Sequence, residues 1–159
     1  LFYEHLDQAL HRARRNKSRV AVFFLDLDGF KSVNDLLGHA QGDLLLQEVA
    51  SRFNEALRSS DIVARLGGDE FAFVCENLST PGDAAIIAEK LLVSLSRKIQ
   101  MAGQEMAISG SIGISLFPED GDEARDLLRY ADAAMYRVKD QGKQHFQFFS
   151  WNGRPKEMG

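Results

Sequence analysis

An apolar run that ends in acids is the first place where this chain could do chemistry. Phe23-Phe24-Leu25 leads directly into Asp26-Leu27-Asp28. Extended chain has a period of two, so Asp26 and Asp28 fall on one face of the strand end. A second acidic group, Gly67-Gly68-Asp69-Glu70, is followed by the apolar Phe71-Ala72-Phe73-Val74. If that segment is a hairpin tip beside the first strand, Asp26 and Asp69 or Glu70 converge at one edge. Hard carboxylate oxygens in that arrangement suit Mg²⁺, which takes a few acids and completes its shell with phosphate oxygens and water. Two such ions, about 4 Å apart, hold the attacking and leaving oxygens of a phosphoryl transfer. The plainer alternative is a set of solvated acids at turns.

Asp28-Gly29-Phe30-Lys31 follows at once. A glycine turn at a strand end aims backbone N–H groups at an anion, and Lys31 adds positive charge. Far along the chain, Lys139 and Lys143 flank Asp140-Gln141-Gly142. On spacing alone they either reach the same phosphates or complement the C-terminal dipole of a helix.

These residues need elements to position them. Leu1 to Asn16 has helical spacing through Phe2, Leu6, Ala9, Leu10 and Ala13, with Arg12, Arg14 and Arg15 near its C-terminal end, where positive charge suits the dipole. Val20 to Leu27 reads as a buried strand and Gly42 to Leu57 as a helix. Ile62 to Leu66 and Phe71 to Cys75 read as strands joined at Gly67-Gly68. Thr80 caps a helix that opens at Pro81 and runs to about Arg97. Ile99 to Ala102 and Met106 to Leu116 read as strands around Gly103. A long helix carries Leu127, Leu128, Ala131, Met135 and Val138 and stops at Gly142, and His145 to Phe149 is a last strand. A hairpin among alternating helices and strands excludes a purely parallel sheet. The fold class expected is α+β, a mostly antiparallel central sheet of βαββαβ type flanked by helices. One domain covers 1–149, and 150–159 reads as a linker or tail.

Composition narrows the function. The 159 residues are 45% hydrophobic and 26% charged with a net charge of −4, an ordinary globular balance that argues against a bulk electrostatic grip on a nucleic-acid polymer. A chain of this length buries roughly 70% of its unfolded surface and needs no staple. The single cysteine, Cys75, excludes a disulfide framework and reads as core. His5, His11, His39 and His145 show no metal-ligand spacing. The longest apolar run is far short of a bilayer span. The first residue is Leu, so the sequence reads as a piece of a longer chain, expected to be cytoplasmic with any anchor lying elsewhere.

Several motifs together resemble the GGDEF domain of diguanylate cyclases. They are Phe24-Leu25-Asp26-Leu27-Asp28-Gly29-Phe30-Lys31 with Asn34-Asp35 and Gly38-His39, then Arg65-Leu66-Gly67-Gly68-Asp69-Glu70-Phe71, Ser111-Ile112-Gly113-Ile114-Ser115 and Ala131-Asp132-Ala133-Ala134-Met135-Tyr136. The resemblance runs from Leu1 to about Phe149. It implies a fold shared with class III nucleotide cyclases and polymerase palms, and the condensation of two GTP into cyclic di-GMP. By resemblance, Asp26, Asp69 and the Leu27 carbonyl hold two Mg²⁺, with Mn²⁺ able to substitute. Glu70 lies by the metals and the ribose 3′-hydroxyl and helps remove its proton. Asn34 and Asp43 read guanine: a carboxylate accepts from the N1–H and N2–H₂ pair that adenine lacks. Lys31, Lys139 and Lys143, with N–H groups around Gly29 and Phe30, hold the β- and γ-phosphates.

Arg58-Ser59-Ser60-Asp61 resembles the family's inhibitory RxxD site. An arginine there makes a bidentate bond to guanine O6 and N7, and Asp61 accepts from the other edge, with Arg65 assisting. The implied partners are GTP, cyclic di-GMP as inhibitor, a second copy of the domain, an upstream sensor and a downstream EAL-type phosphodiesterase. Two departures stand out. The Asp-x-Leu-Thr-Gly-Leu-x-Asn-Arg segment usual before the first helix is missing, and Gly142-Lys143-Gln144 has Gln where Asn is usual. No residue forces dimerisation. The alternative function is a catalytically weak module that senses GTP or cyclic di-GMP for an attached domain.

Overall fold

A computed structural model describes residues 1–142 and 145–149. Helix α1 (Phe2–Asn16) keeps Leu6, Ala9, Leu10 and Ala13 buried on one face and ends at Lys17, which turns left-handed. Strand β1 (Arg19–Asp28) follows, then α2 (Phe30–Leu37), α3 (His39–Ala56), β2 (Ile62–Gly67) and β3 (Glu70–Leu78). Helix α4 (Pro81–Ser96) opens with Thr80 at its N-cap, and the Asp83 carboxylate accepts from the Ser79 and Thr80 N–H groups at 2.9 and 3.2 Å. Those backbone bonds hold the Asp83 carboxyl below its ordinary range. A small hairpin, β4 (Ile99–Met101) and β5 (Gln104–Met106), precedes β6 (Ser109–Phe117), α5 (Ala124–Asp140) and β7 (Phe146–Phe148).

The main sheet has the order β2-β3-β1-β6-β7. Every pairing in it is antiparallel except β6 with β7. The α+β expectation holds. Period two divides β1 between two cores. Ala21, Phe23, Leu25 and Leu27 pack with α2, α3 and α4, where Phe53 meets Phe71 and Phe73 edge-on at 5.2 and 5.1 Å between ring centroids. Val20, Val22 and Phe24 face the other way, onto α1 and α5. A strand covered on both faces is apolar throughout until its exposed end, which is why the acids appear only there.

One helix the sequence reading missed is added, and two expectations are corrected. The segment between Gly29 and Gly38 folds as α2, because Phe30 and Val33 bury one face of a two-turn helix. Helix α3 begins at His39, three residues before the expected start at Gly42. Met106 to Leu116 is not one strand: Met106 closes the small hairpin and a separate strand starts at Ser109. Cys75 is wholly buried, and burial pushes its thiol up. Among the described residues no helix is long and apolar enough to cross a membrane. The tail expected at 150–159 lies outside the described residues, as does Lys143.

Candidate active site

The two acidic segments meet because β3 lies directly beside β1. Asp26 pairs with Glu70 in the antiparallel ladder, and the Leu27 N–H donates to the Asp69 carbonyl at 3.1 Å. Residues directly opposite in such a ladder share a face. Gly67 pairs with Glu70 and Gly68 takes φ 45°, a left-handed conformation that glycine adopts without a side-chain clash, so Gly68 and Asp69 form the tip. Arg65 braces it: Nε donates to the Gly68 carbonyl at 3.0 Å.

Electrostatics mark this edge. Burial first, and then the neighbouring Asp69 carboxyl, push Asp26 up to about 7, with Lys139 pulling the other way. Glu70 is raised by burial, then by the charges of Asp132 and Asp69. Asp132, on α5, is itself raised by burial. The Oδ1 atoms of Asp26 and Asp132 are buried without a hydrogen-bond partner. Among the described residues no group of three or more His, Cys, Asp or Glu side chains is placed to hold a metal ion by itself. Two adjacent carboxylates with an orphaned, buried lone pair could hold a hard divalent cation only if it kept most of its shell for substrate and water.

The glycine turn sits at the same end of β1. Gly29 has φ 78° and serves as N-cap of α2, with Phe30 buried in the core and Lys31 exposed. Asn34 on α2 lies against α3. Its Oδ1 is buried and unpartnered, and a Cβ on Gly42 would come within 1.8 Å of it. The absent side chain of Gly42 therefore seats Asn34. Asp43, next along α3, is exposed. Lys139 comes to the acids from α5. Its Nζ stands 3.3 Å from Asp26 Oδ2 and 3.4 Å from Asp28 Oδ1. The geometry thus gathers Asp26, Asp28, Asp69, Glu70, Gly29 and Lys139 at one end of the inner strands.

Arg58 and Asp61 form a separate cluster where β2 begins. Asp61 accepts from the Arg58 backbone N–H at 3.0 Å, from Nε at 3.3 Å and from Nη2 at 3.0 Å, and its side chain is 2% exposed. Arg58 Nη2 also donates to the Glu76 carbonyl at 3.0 Å. Arg65 does not join this pair, being held at the hairpin tip. Arg12 does approach it: its Nε and Nη2 grip the Glu76 carboxylate at 2.9 and 2.8 Å. Reading Arg12 only as a dipole complement missed this contact. The sequence reading also misses Asp132, Ser109 and Ser111, although Asp132 and Ser111 stand within the motifs quoted above.

Comparison with known proteins identifies the family and the fold. The family model described as diguanylate cyclase, GGDEF domain, matches residues 1–145. The bifunctional diguanylate cyclase/cyclic di-GMP phosphodiesterase MucR of Pseudomonas aeruginosa is 49% identical over 99% of the chain, which spans only 23% of that relative. Among solved structures, the GGDEF domain of TpbB (YfiN) from Pseudomonas aeruginosa superposes with a TM-score of 0.92 at 41% identity, covering 95% of this chain and 94% of that one. The GGDEF domain of DgcB from Caulobacter crescentus, solved in complex with c-di-GMP, matches with a TM-score of 0.84 at 28% identity, covering 92% and 87%. With its acidic hairpin tip set beside the acidic end of β1, the chain belongs to the GGDEF domain family of diguanylate cyclases.

Proposed function

We propose that this domain condenses two molecules of GTP into cyclic di-GMP and releases pyrophosphate. The observation that carries the reading is the β1–β3 register, which sets Asp26 opposite Glu70 with Asp69 beside both. Asp26, Asp69 and the Leu27 carbonyl would hold Mg²⁺, which supplies charge neutralisation at the triphosphate when bound. Asn34 and Asp43 orient guanine across the α2–α3 junction. Backbone N–H groups at Gly29 and Phe30, with Lys31, Lys139 and Lys143, hold the β- and γ-phosphates.

Glu70 then lies where a ribose 3′-hydroxyl must lose its proton. Its raised affinity for protons makes it a better acceptor than an ordinary carboxylate. The 3′-oxygen of each GTP attacks the α-phosphorus of the other; each attack forms one phosphodiester bond, breaks that phosphorus's bond to the α–β bridging oxygen and releases one pyrophosphate, two in all. Each domain contributes one GTP, so two copies face each other about a two-fold axis, and most of the acceleration is positioning and charge neutralisation. The rate should therefore rise more than linearly with protein at low concentration.

Arg58 and Asp61 serve as a product site, with Arg58 turning from Asp61 to the guanine O6 and N7 edge. The DgcB complex with c-di-GMP supports a domain of this fold binding the product. MucR, far longer than this chain and named as a cyclic di-GMP phosphodiesterase as well as a cyclase, supports coupling to a further, phosphodiesterase domain, which we read as EAL-type. Incubation with GTP and Mg²⁺, followed by chromatography of the nucleotides, tests the reading. Cyclic di-GMP from the wild type and none from Glu70→Ala is the expected result. GTP left intact at every protein concentration would instead favour a sensor module.

A further inference from the structure

Lys139 lies in the last turn of α5, where a lysine ordinarily extends into solvent. Here the side chain is 21% exposed and its ammonium bridges Asp26 and Asp28. The seat is built from three elements. Asp28 is 8% exposed, and its Oδ2 and Oδ1 accept from the hydroxyls of Ser109 and Ser111, each at 2.8 Å. Those serines stand on β6, Ser109 across from Asp28 and Ser111 across from Asp26. Both Asp28 oxygens are thus committed, and its carboxylate is fixed toward α5. Asp26 differs: Oδ2 faces Lys139, while Oδ1 is buried and unpartnered.

We propose that Lys139 is the resident counter-ion of this acidic cleft, held there by Asp28 on its two serines, and that it competes with a divalent cation arriving without nucleotide. The inference rests on the reading of Asp26 as a cation ligand. A divalent ion on Asp26 would lie against a fixed ammonium a few ångströms away, a repulsion that at the partly screened edge of a protein lowers affinity several-fold or more. A triphosphate reverses the balance. Its oxygens accept the ammonium, Lys139 leaves Asp26, and the cation enters the vacated field. Cation and nucleotide then bind with positive coupling, each raising the affinity of the other by the same factor. Ser109 and Ser111 are positioning residues that act on Lys139 through Asp28.

The test measures Mn²⁺ binding without nucleotide by the loss of the free-ion electron paramagnetic resonance signal. Lys139→Gln should bind Mn²⁺ about five- to tenfold more tightly than wild type, while Lys139→Arg keeps the weak wild-type affinity. Ser109→Ala with Ser111→Ala should move in the direction of Lys139→Gln by a smaller factor, and Ser111→Thr should restore the wild-type value. Lys31→Gln removes a nearby charge that has no ion pair to Asp26 or Asp28 among the described residues. It should change affinity by less than about twofold. With a non-hydrolysable GTP analogue present, the advantage of Lys139→Gln should vanish.

Unchanged or weaker Mn²⁺ binding by Lys139→Gln overturns the proposal, as does an equal gain in Lys31→Gln. Asp26→Asn separates the premise from the inference. If it binds Mn²⁺ as well as wild type, Asp26 is not the ligand. If it loses binding while Lys139→Gln gains nothing, only the competition is refuted.

Discussion

Gly113 of β6 lies so close beneath Ala131 of α5 that a Cβ built on it would stand 1.9 Å from the Ala131 carbonyl oxygen and 2.3 Å from the Met135 nitrogen. Backbone, unlike the end of a flexible side chain, cannot step aside there. The contact sets how near α5 approaches the sheet, and α5 carries Asp132 and Lys139. Gly113→Ala should therefore cost about 3 kcal/mol or more in urea unfolding, the overpacking and strain of a rigid contact. The Lys139 pairs should loosen with it. A variant as stable as wild type would mean that α5 shifts freely on the sheet.

Gly42 presents the opposite case. A Cβ there meets the Asn34 side chain at 1.8 Å, with Phe30 Cζ next at 3.4 Å. Asn34 can rotate away, and alanine in a helix interior gains roughly 0.5–1 kcal/mol over glycine. Gly42→Ala should hold or raise stability while weakening GTP binding by about tenfold, the loss of one well-placed hydrogen bond in a buried site. Calorimetric titration with a GTP analogue, beside a thermal melt, separates the two effects. Unaltered affinity would detach Asn34 from the nucleotide.

Asp26 links proton binding to folding in the metal-free protein. Its carboxyl titrates near 4 in an unfolded chain and at about 7 in the folded one. Between those values the folded chain holds a proton that the unfolded chain has lost, so this group's contribution to stability falls as pH rises through the window and is gone above it. Asp26→Asn, which cannot ionise, should match wild type near pH 4 and exceed it by about 1–2 kcal/mol at pH 8, solvent screening at a half-buried site included. Urea midpoints across that range in the presence of a chelator check the sign. A wild type that gains on the variant as pH rises contradicts it.

Arg58 is held by Asp61 and the Glu76 carbonyl, but about half of its side chain is exposed. It can turn outward at the expense of its ion pair with the buried Asp61 carboxylate, which keeps the Arg58 backbone N–H as a donor. Arg58→Ala should weaken cyclic di-GMP binding by about 10- to 100-fold, the scale of a bidentate arginine–guanine contact. Turnover at low product should stay near wild type, since Arg58 lies away from the Asp26–Glu70 edge. Titration with cyclic di-GMP and full progress curves give both numbers, and undiminished product inhibition would reassign the pair to a structural role.

Much of this was legible in the linear chain because local physics wrote it there. Strand β1 had to be strand, since an apolar, β-branched and aromatic run buried on both faces has no other economical form. Gly67-Gly68-Asp69-Glu70 had to be a turn, and Thr80 with Asp83 had to open a helix. Helix α2 escaped notice because eight residues with two buried side chains carry too short a period to stand out. The division of Met106 to Leu116 depended on which strand each half would pair with, and pairing partners are chosen across the chain.

Residue types and their order therefore settled that the molecule would place acids at a strand end, a glycine turn after them and a lysine near the end of a late helix. Assembly alone decided who would meet whom. Sheet order brought Glu70 across from Asp26, the close packing at Gly113 delivered Lys139 onto Asp26 and Asp28, and β6 supplied the two serines that hold Asp28. Ionic and hydroxyl contacts between positions more than eighty apart leave no periodicity in the chain. They arise only when burial has fixed the elements and the charges left at their ends must find partners.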